Sequence, residues 1–177
     1  LDLGVPGNER QFVIGVYLAF QSGWPVIALM VAVGVVAVTY TDVLARWVLG
    51  EAASGITLGS FVVLGSYYVL TGELTSGIVW ACIPPGILTT ELLLLNEFPD
   101  AEADMKGGRR HLVILLGKRG AAYLYTRLLA VMYAVILFGA LFDSLPRTTL
   151  IATVTLPLAV FTSFRSFTAA ENREQLI

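Results

Sequence analysis

This 177-residue chain is poor in charge and nearly devoid of cysteine and histidine, with one of each. Asp, Glu, Lys and Arg make up 14% of it, where a soluble domain carries about 25%. None of the four occurs in Gln11–Thr41, Ala52–Gly72, Leu74–Thr90, Leu128–Phe142 or Thr148–Phe164. A net charge of −2 and a pI near 5.3 give no support for a nucleic-acid partner. The lone Cys82 excludes an intrachain disulfide and reads as a small buried hydrophobe. No secretory signal is legible, because the first apolar run lacks a small-residue cleavage site. The chain starts at Leu1 rather than Met, which suggests a processed product or an excerpt of a longer protein, and the excerpt is the expectation.

What is present is apolar: 56% of residues are hydrophobic and the mean hydropathy is +0.79. A membrane-crossing helix needs about 20 predominantly apolar residues, and the uncharged runs are of that order. They predict an all-α, polytopic transmembrane bundle of about six helical segments. Gln11–Thr41 would be about 46 Å long as one helix, and Ser22-Gly23-Trp24-Pro25 is a turn signal inside it. The expected segments are therefore Gln11–Gln21, Trp24–Tyr40, Ser54–Thr71, Ser76–Leu95, Ala121–Phe142 and Thr148–Phe164. Residues 1–177 read as one membrane domain, with 96–120 an Asp-rich loop. Gly34, Gly59, Gly65, Gly86 and Gly139 fall inside spans, where close helix packing is the ordinary explanation.

Six crossings put Arg10, Arg46, Lys106, Arg109, Arg110, Lys118, Arg119, Arg127, Arg165 and Arg173 on one side and Arg147 alone on the other. Cationic loops stay on the cytoplasmic side. The Asp-rich loop is thus expected to face the cytoplasm, in a protein of the plasma (inner) membrane.

Against this background the stretch Asn96–Arg110, NEFPDAEADMKGGRR, is a polar island. Asn96, Asp100 and Asp104 recur every four residues and would share one helix face. Carboxylates at that spacing repel by a few tenths of a kcal/mol, so a cation set against them makes sense of the pattern. Mg²⁺ takes one or two protein carboxylates and completes its shell with substrate phosphate oxygens and water, while Lys or Arg neutralises the remaining phosphate charge. Asp100 and Asp104 are the candidate metal ligands. Asn96, Lys106, Arg109 and Arg110 are the candidate diphosphate contacts. The plain alternative is a solvated loop whose bases anchor topology.

Asn96–Gly117, NEFPDAEADMKGGRRHLVILLG, resembles the second aspartate-rich motif of the UbiA-type intramembrane prenyltransferases. Tyr40-Thr41, Leu49-Gly50-Glu51 and Gly65-Ser66-Tyr67-Tyr68 resemble segments found in the same order in that family. The resemblance covers roughly residues 24–165 and is strongest to the branch that prenylates 1,4-dihydroxy-2-naphthoate in menaquinone synthesis. It implies a nine-helix bundle around a cavity open to lipid, where two aspartate motifs bind a polyprenyl diphosphate through Mg²⁺. Ionisation of the allylic diphosphate then leads to attack on an electron-rich aromatic ring. Asp100 and Asp104 match the metal-binding aspartates, Asn96 opens the motif, and Lys106 stands where a basic residue usually follows it. The first aspartate motif has no counterpart in Leu1–Asn8, and a final helix should follow Glu171–Ile177. Half the metal site is thus expected here, and an isolated piece is expected to have negligible activity. Thr41–Gly50 is shorter than in the family and lacks its prolines, and His111 stands where a small hydroxyl residue is usual.

Further candidates are weighed singly. Glu91 lies in an apolar run, where a carboxylate faces a bundle interior or water; being about one turn from the polar island, it can equally snorkel or bond a neighbouring helix. His111 could act as a general base or simply open the next helix. Tyr67 and Tyr68 line the cavity or pack. Glu51 and Arg46 are further candidates on the cytoplasmic side. Trp24, Trp47 and Trp80 read as interfacial or packing aromatics. Two other functions compete. Ala103–Arg110 is loosely similar to a basic loop of major facilitator transporters, though Asp100 stands where that loop has glycine. A catalytically inactive prenyltransferase relative is the third.

Overall fold

The structure is a computed structural model and describes residues 7–40, Leu44 and 48–171. The described residues form a helical membrane bundle without a strand. Helices α1 (Gly7–Ser22) and α2 (Trp24–Thr39) make a hairpin. It breaks at Gly23, whose φ of 86° leaves the helical region, and Pro25 opens the next helix in its first turn. Both arms are shorter than a full crossing. Four longer helical spans follow, Gly50–Thr71, Ser76–Lys106, Leu112–Leu141 and Arg147–Thr168, each long and apolar enough to cross a membrane.

The first of these is α3 (Gly50–Ser54), a π-helical turn (Gly55–Ser60) and α4 (Phe61–Thr71) in one rod. Gly72 ends it in the left-handed conformation, its N–H bonded to the Tyr68 carbonyl. Thr75 caps α5 (Ser76–Ala81) through the Ile78 N–H. The break to α6 (Ile83–Lys106) falls just before Pro84-Pro85, which deprive two preceding carbonyls of donors. α7 (Leu112–Leu141) is kinked at Gly117, with φ 69° and ψ 160°. A 3₁₀ segment (Arg147–Thr155) then leads into α8 (Leu156–Glu171).

The core is the seam between α6 and α7. Leu94, Phe98 and Ala101 present one face of α6 to Val113, Ala121, Ala122, Tyr125, Leu129, Met132 and Ile136. Tyr125 donates to Thr162 Oγ1 at 3.1 Å, and the Tyr133 hydroxyl meets Thr155 Oγ1 at 2.8 Å, tying the last span to α7. On its other side α6 meets the π-helical turn backbone to backbone. A Cβ at Gly59 would lie 2.6 Å from the Gly86 Cα, so these two expected packing glycines do face each other. Gly139 is likewise closed, against Leu145, whereas Gly34 has open space around it. Phe20, Val38 and Leu70 are 86%, 81% and 84% exposed, which suits hydrocarbon and not water.

Two expected boundaries need correction. The second-motif stretch, expected as a loop over 96–120, is helical through Lys106 and again from Leu112, leaving Gly107–His111 as the turn. Phe98 and Ala101 explain this, because their burial against α7 carries α6 onward beneath its polar face. The span expected from Ser54 starts four residues earlier, with Glu51 and Ser54 both buried.

Candidate active site at the end of helix α6

The polar face of α6 is built by spacing. Leu93, Asn96, Glu97, Asp100 and Asp104 follow the helix repeat and line a cavity of about 900 Å³. Tyr40 closes another wall; its hydroxyl is 3.2 Å from where a Cβ on Gly50 would lie, so α3 approaches the ring closely there. Arg109, Arg110 and His111 complete the rim.

The turn after α6 brings these bases over the acids. The Gly107 N–H bonds the Ala103 carbonyl at 2.9 Å, and Gly108 takes a φ of 77°. The Arg109 N–H then bonds the Asp104 carbonyl at 2.9 Å, and its guanidinium reaches Asp104 Oδ1 at 3.1 Å. The arginine side chain is 75% exposed, so this ion pair is weakly held and can be exchanged for a charged ligand.

Glu51, buried at 2% exposure, enters from α3. Its Oε1 accepts the Leu112 N–H at 2.6 Å, supplying a carboxylate to the first turn of α7, where orphan N–H groups and the helix dipole favour negative charge. Its backbone carbonyl accepts from Thr90 Oγ1 at 3.3 Å. His111, 7% exposed, is wedged between two acids, with Nδ1 3.3 Å from Glu97 Oε2 and Nε2 3.6 Å from Asp104 Oδ2.

Of the residues singled out in the sequence, Asn96, Asp100, Asp104, Arg109 and Arg110 meet at this one cavity. Lys106 does not line it: two residues beyond Asp104 is about 200° around the helix, and the residue is exposed. Glu91 is buried within the bundle, about 180° around α6 from Asp100, and is not part of the lining. Tyr67 and Tyr68 are half-buried on α4 and do not reach the polar cavity. Glu51 touches its edge through Glu97 and His111. Arg46 and Trp47 lie outside the described residues. Sequence reasoning missed Glu97 and Tyr40. Glu97 was findable, since it stands three and seven residues from Asp100 and Asp104 and so shares their face.

The donors of the motif itself, Asn96, Asp100 and Asp104, are all oxygen. That set suits a hard cation such as Mg²⁺, which favours carboxylate and water oxygens, and the adjacent guanidinium groups suit phosphate.

The profile of the UbiA prenyltransferase family matches residues 11–176. A 1,4-dihydroxy-2-naphthoate octaprenyltransferase of Bacillus subtilis is 37% identical over 137 residues, 75% of this chain and 44% of that protein. A 2-carboxy-1,4-naphthoquinone phytyltransferase of Synechocystis is 26% identical over 112 residues, 63% of this chain and 36% of that one. A 1,4-dihydroxy-2-naphthoate octaprenyltransferase of Haemophilus influenzae is 33% identical over 76 residues, 42% of this chain and 25% of that one. The chain thus spans less than half the length of these curated relatives. No solved structure matches it significantly.

Proposed function

The chain belongs to the UbiA prenyltransferase family, and from that premise we propose that it carries the second aspartate motif of an enzyme that moves a polyprenyl group from its diphosphate onto an aromatic acceptor in the membrane. The observation that carries this reading is the meeting of Asn96, Asp100, Asp104, Arg109 and Arg110 at one cavity. Family membership over 11–176 also removes the transporter alternative.

In this reading Asp100 and Asp104 hold Mg²⁺, with Asn96 beside them. The ion supplies charge neutralisation for a departing diphosphate. Arg109 and Arg110 meet the phosphate oxygens. Arg109 gives up Asp104 as it does so, which leaves that carboxylate available to the metal. Donors fixed before the bond breaks cost no reorganisation as charge develops on the diphosphate. An allylic donor loses diphosphate, the electron-rich ring attacks the resulting carbon centre, and the attacked ring carbon sheds its own substituent as a cation, in the simplest case a proton, to restore aromaticity.

The names of the relatives favour a dihydroxynaphthoate acceptor and a place in quinone synthesis such as that of menaquinone. An apolar groove of about 800 Å³, bounded by Leu29, Met30, Val33, Phe61, Val62 and Val69 between α2 and α4, suits an isoprenoid tail. The ten-to-one distribution of cations supports a cytoplasmic orientation of the aspartate face in the plasma membrane.

The test is Mg²⁺-dependent binding of geranylgeranyl diphosphate to the full-length protein in detergent, beside an Asp100→Ala, Asp104→Ala double variant. Binding that needs Mg²⁺ and disappears in the variant supports the reading. Binding with no turnover of any aromatic acceptor points to the inactive relative. Equal binding by both proteins, or by neither, overturns the reading.

A further inference from the structure

Glu51, Glu97 and His111 converge from three elements: the start of α3, the polar face of α6 and the residue that opens α7. One ligand atom from each lies within 4.8 Å of the other two. Burial is deep, with Glu51 at 2% and His111 at 7% exposure. Two carboxylates this close, out of water, are unfavourable unless a proton or a cation stands between them.

The hydrogen bonding does not resolve the cluster. Among the described residues, Glu97 Oε2 and both ring nitrogens of His111 are buried and lack a hydrogen-bond partner. The 3.3 Å approach of Nδ1 to Glu97 Oε2 is close enough but off the required direction. Buried polar atoms are almost always satisfied. Orphans on two adjoining side chains, with Nδ1 of one 3.3 Å from Oε2 of the other, mark a place for a ligand.

We propose that Glu51, Glu97 and His111 form a second cation site, separate from the aspartate motif and selective for a divalent transition metal such as Zn²⁺ over Mg²⁺. The imidazole decides the selectivity, since nitrogen ligands suit Zn²⁺ whereas Mg²⁺ keeps to oxygen. Glu51 is already oriented by the Leu112 N–H on Oε1, which leaves its second oxygen for the metal. His111 would bind through Nδ1, which leaves Nε2 3.6 Å from Asp104 Oδ2, a small closure short of a hydrogen bond. A ligating histidine ordinarily has a carboxylate behind its other nitrogen, which fixes its tautomer and raises its basicity. Ligands around Zn²⁺ stand about 3–3.5 Å apart, so the ligand atoms, now within 4.8 Å of one another, would draw together on binding. Three protein ligands leave a fourth position open. The ion would lock α3, α6 and α7 together and place fixed positive charge beside the arginine rim. This inference rests on the cluster's geometry and stands whether or not the prenyl-transfer reading holds.

The full-length protein, purified in detergent without a polyhistidine tag and stripped with chelator, is titrated with Co²⁺ as a visible reporter for Zn²⁺ in excess Mg²⁺. Expected is one Co²⁺ per chain with an absorption band of a nitrogen-ligated ion, displaced by Zn²⁺ and accompanied by a higher unfolding temperature. His111→Gln and the nearly isosteric Glu97→Gln should each weaken Co²⁺ binding by more than about 10-fold, the lower end of what even outer-shell changes cost. Asp100→Asn should leave it unchanged. Size-exclusion profiles identify a variant that fails to fold, and the wild-type titration decides the matter alone if both do. No Co²⁺ retained by the wild type would overturn the site and leave a proton-sharing network. Loss with Asp100→Asn as large as with His111→Gln would overturn it too, by assigning the ion to the aspartate motif.

Discussion

The Glu51 carboxylate accepts the Leu112 N–H at 2.6 Å, so a side chain at the start of one helix closes the start of another 61 positions later. Little else in the described structure ties the beginning of α7 so directly to α3. Replacing Glu51 with Ala leaves a buried N–H without a partner and should cost about 1–3 kcal/mol, while Glu51→Gln keeps an acceptor and should recover most of that. Thermal unfolding in detergent reads the difference. Equal loss in Ala and Gln would show that the charge, and not the hydrogen bond, is what matters there.

The sharpest disagreement between motif and geometry concerns the bases. Lys106 occupies a motif position but points away from the cavity, whereas Arg109 and Arg110 line it. Arg109→Ala with Arg110→Ala should weaken diphosphate binding by at least about tenfold, from loss of charge-assisted hydrogen bonds. Lys106→Ala should change it less than about threefold, as expected for a screened charge. Titration of geranylgeranyl diphosphate into each variant checks this, and a larger effect from Lys106 would reverse the assignment.

Asp104 is shared between Arg109 and the metal in the proposed cycle, so its replacement has two faces. Asp104→Asn should abolish Mg²⁺-dependent binding of the prenyl diphosphate. In the unliganded protein it should cost less than about 1 kcal/mol, because the lost ion pair is exposed on the arginine side. Binding isotherms at several Mg²⁺ concentrations, with unfolding curves beside them, separate the two. Strong destabilisation would identify Asp104 as a structural residue.

Gly59 and Gly86 hold α6 against the π-helical turn at backbone distance. Gly59→Ala drives a methyl group into Gly86 and the Pro85 carbonyl, both 2.6 Å from the added carbon, and backbone cannot swing aside. Destabilisation of about 1–3 kcal/mol is expected. Gly34→Ala meets nothing within 4 Å and should be neutral or stabilising by up to about 1 kcal/mol through helix propensity. Matching melting temperatures for the two variants would contradict this packing.

Charge-free runs made the spans legible, because hydrocarbon tolerates so few charges that their absence is itself the signal. The pairing of Asn96, Asp100 and Asp104 was legible too, since a four-residue step needs only a helix to become a face. What stayed hidden depended on tertiary contact. Nothing local announces that Phe98 and Ala101 will be buried and carry α6 past the expected loop. Glu51, Glu97 and His111 are 60 positions apart at their extremes and meet only after three elements pack. Gly117 reads as an ordinary residue inside an apolar run until its φ of 69° breaks the first turns of α7 from the rest.

From Ser76 to Leu95 the second long span measures about 30 Å, the thickness of the hydrocarbon layer. The aspartate face starts at the next residue and continues for three further turns of the same rod. The two collinear pieces α5 and α6, parted only at Cys82, therefore set the height of this polar face, just where oil gives way to lipid headgroups. An amphiphile can present its charged end at that level with its tail still dissolved among acyl chains. Drawing such a tail into water costs about 0.8 kcal/mol per methylene, a penalty that this architecture never incurs. Under the proposed function, helix length acts as a depth gauge, meeting lipid-anchored anions at the level where they already float.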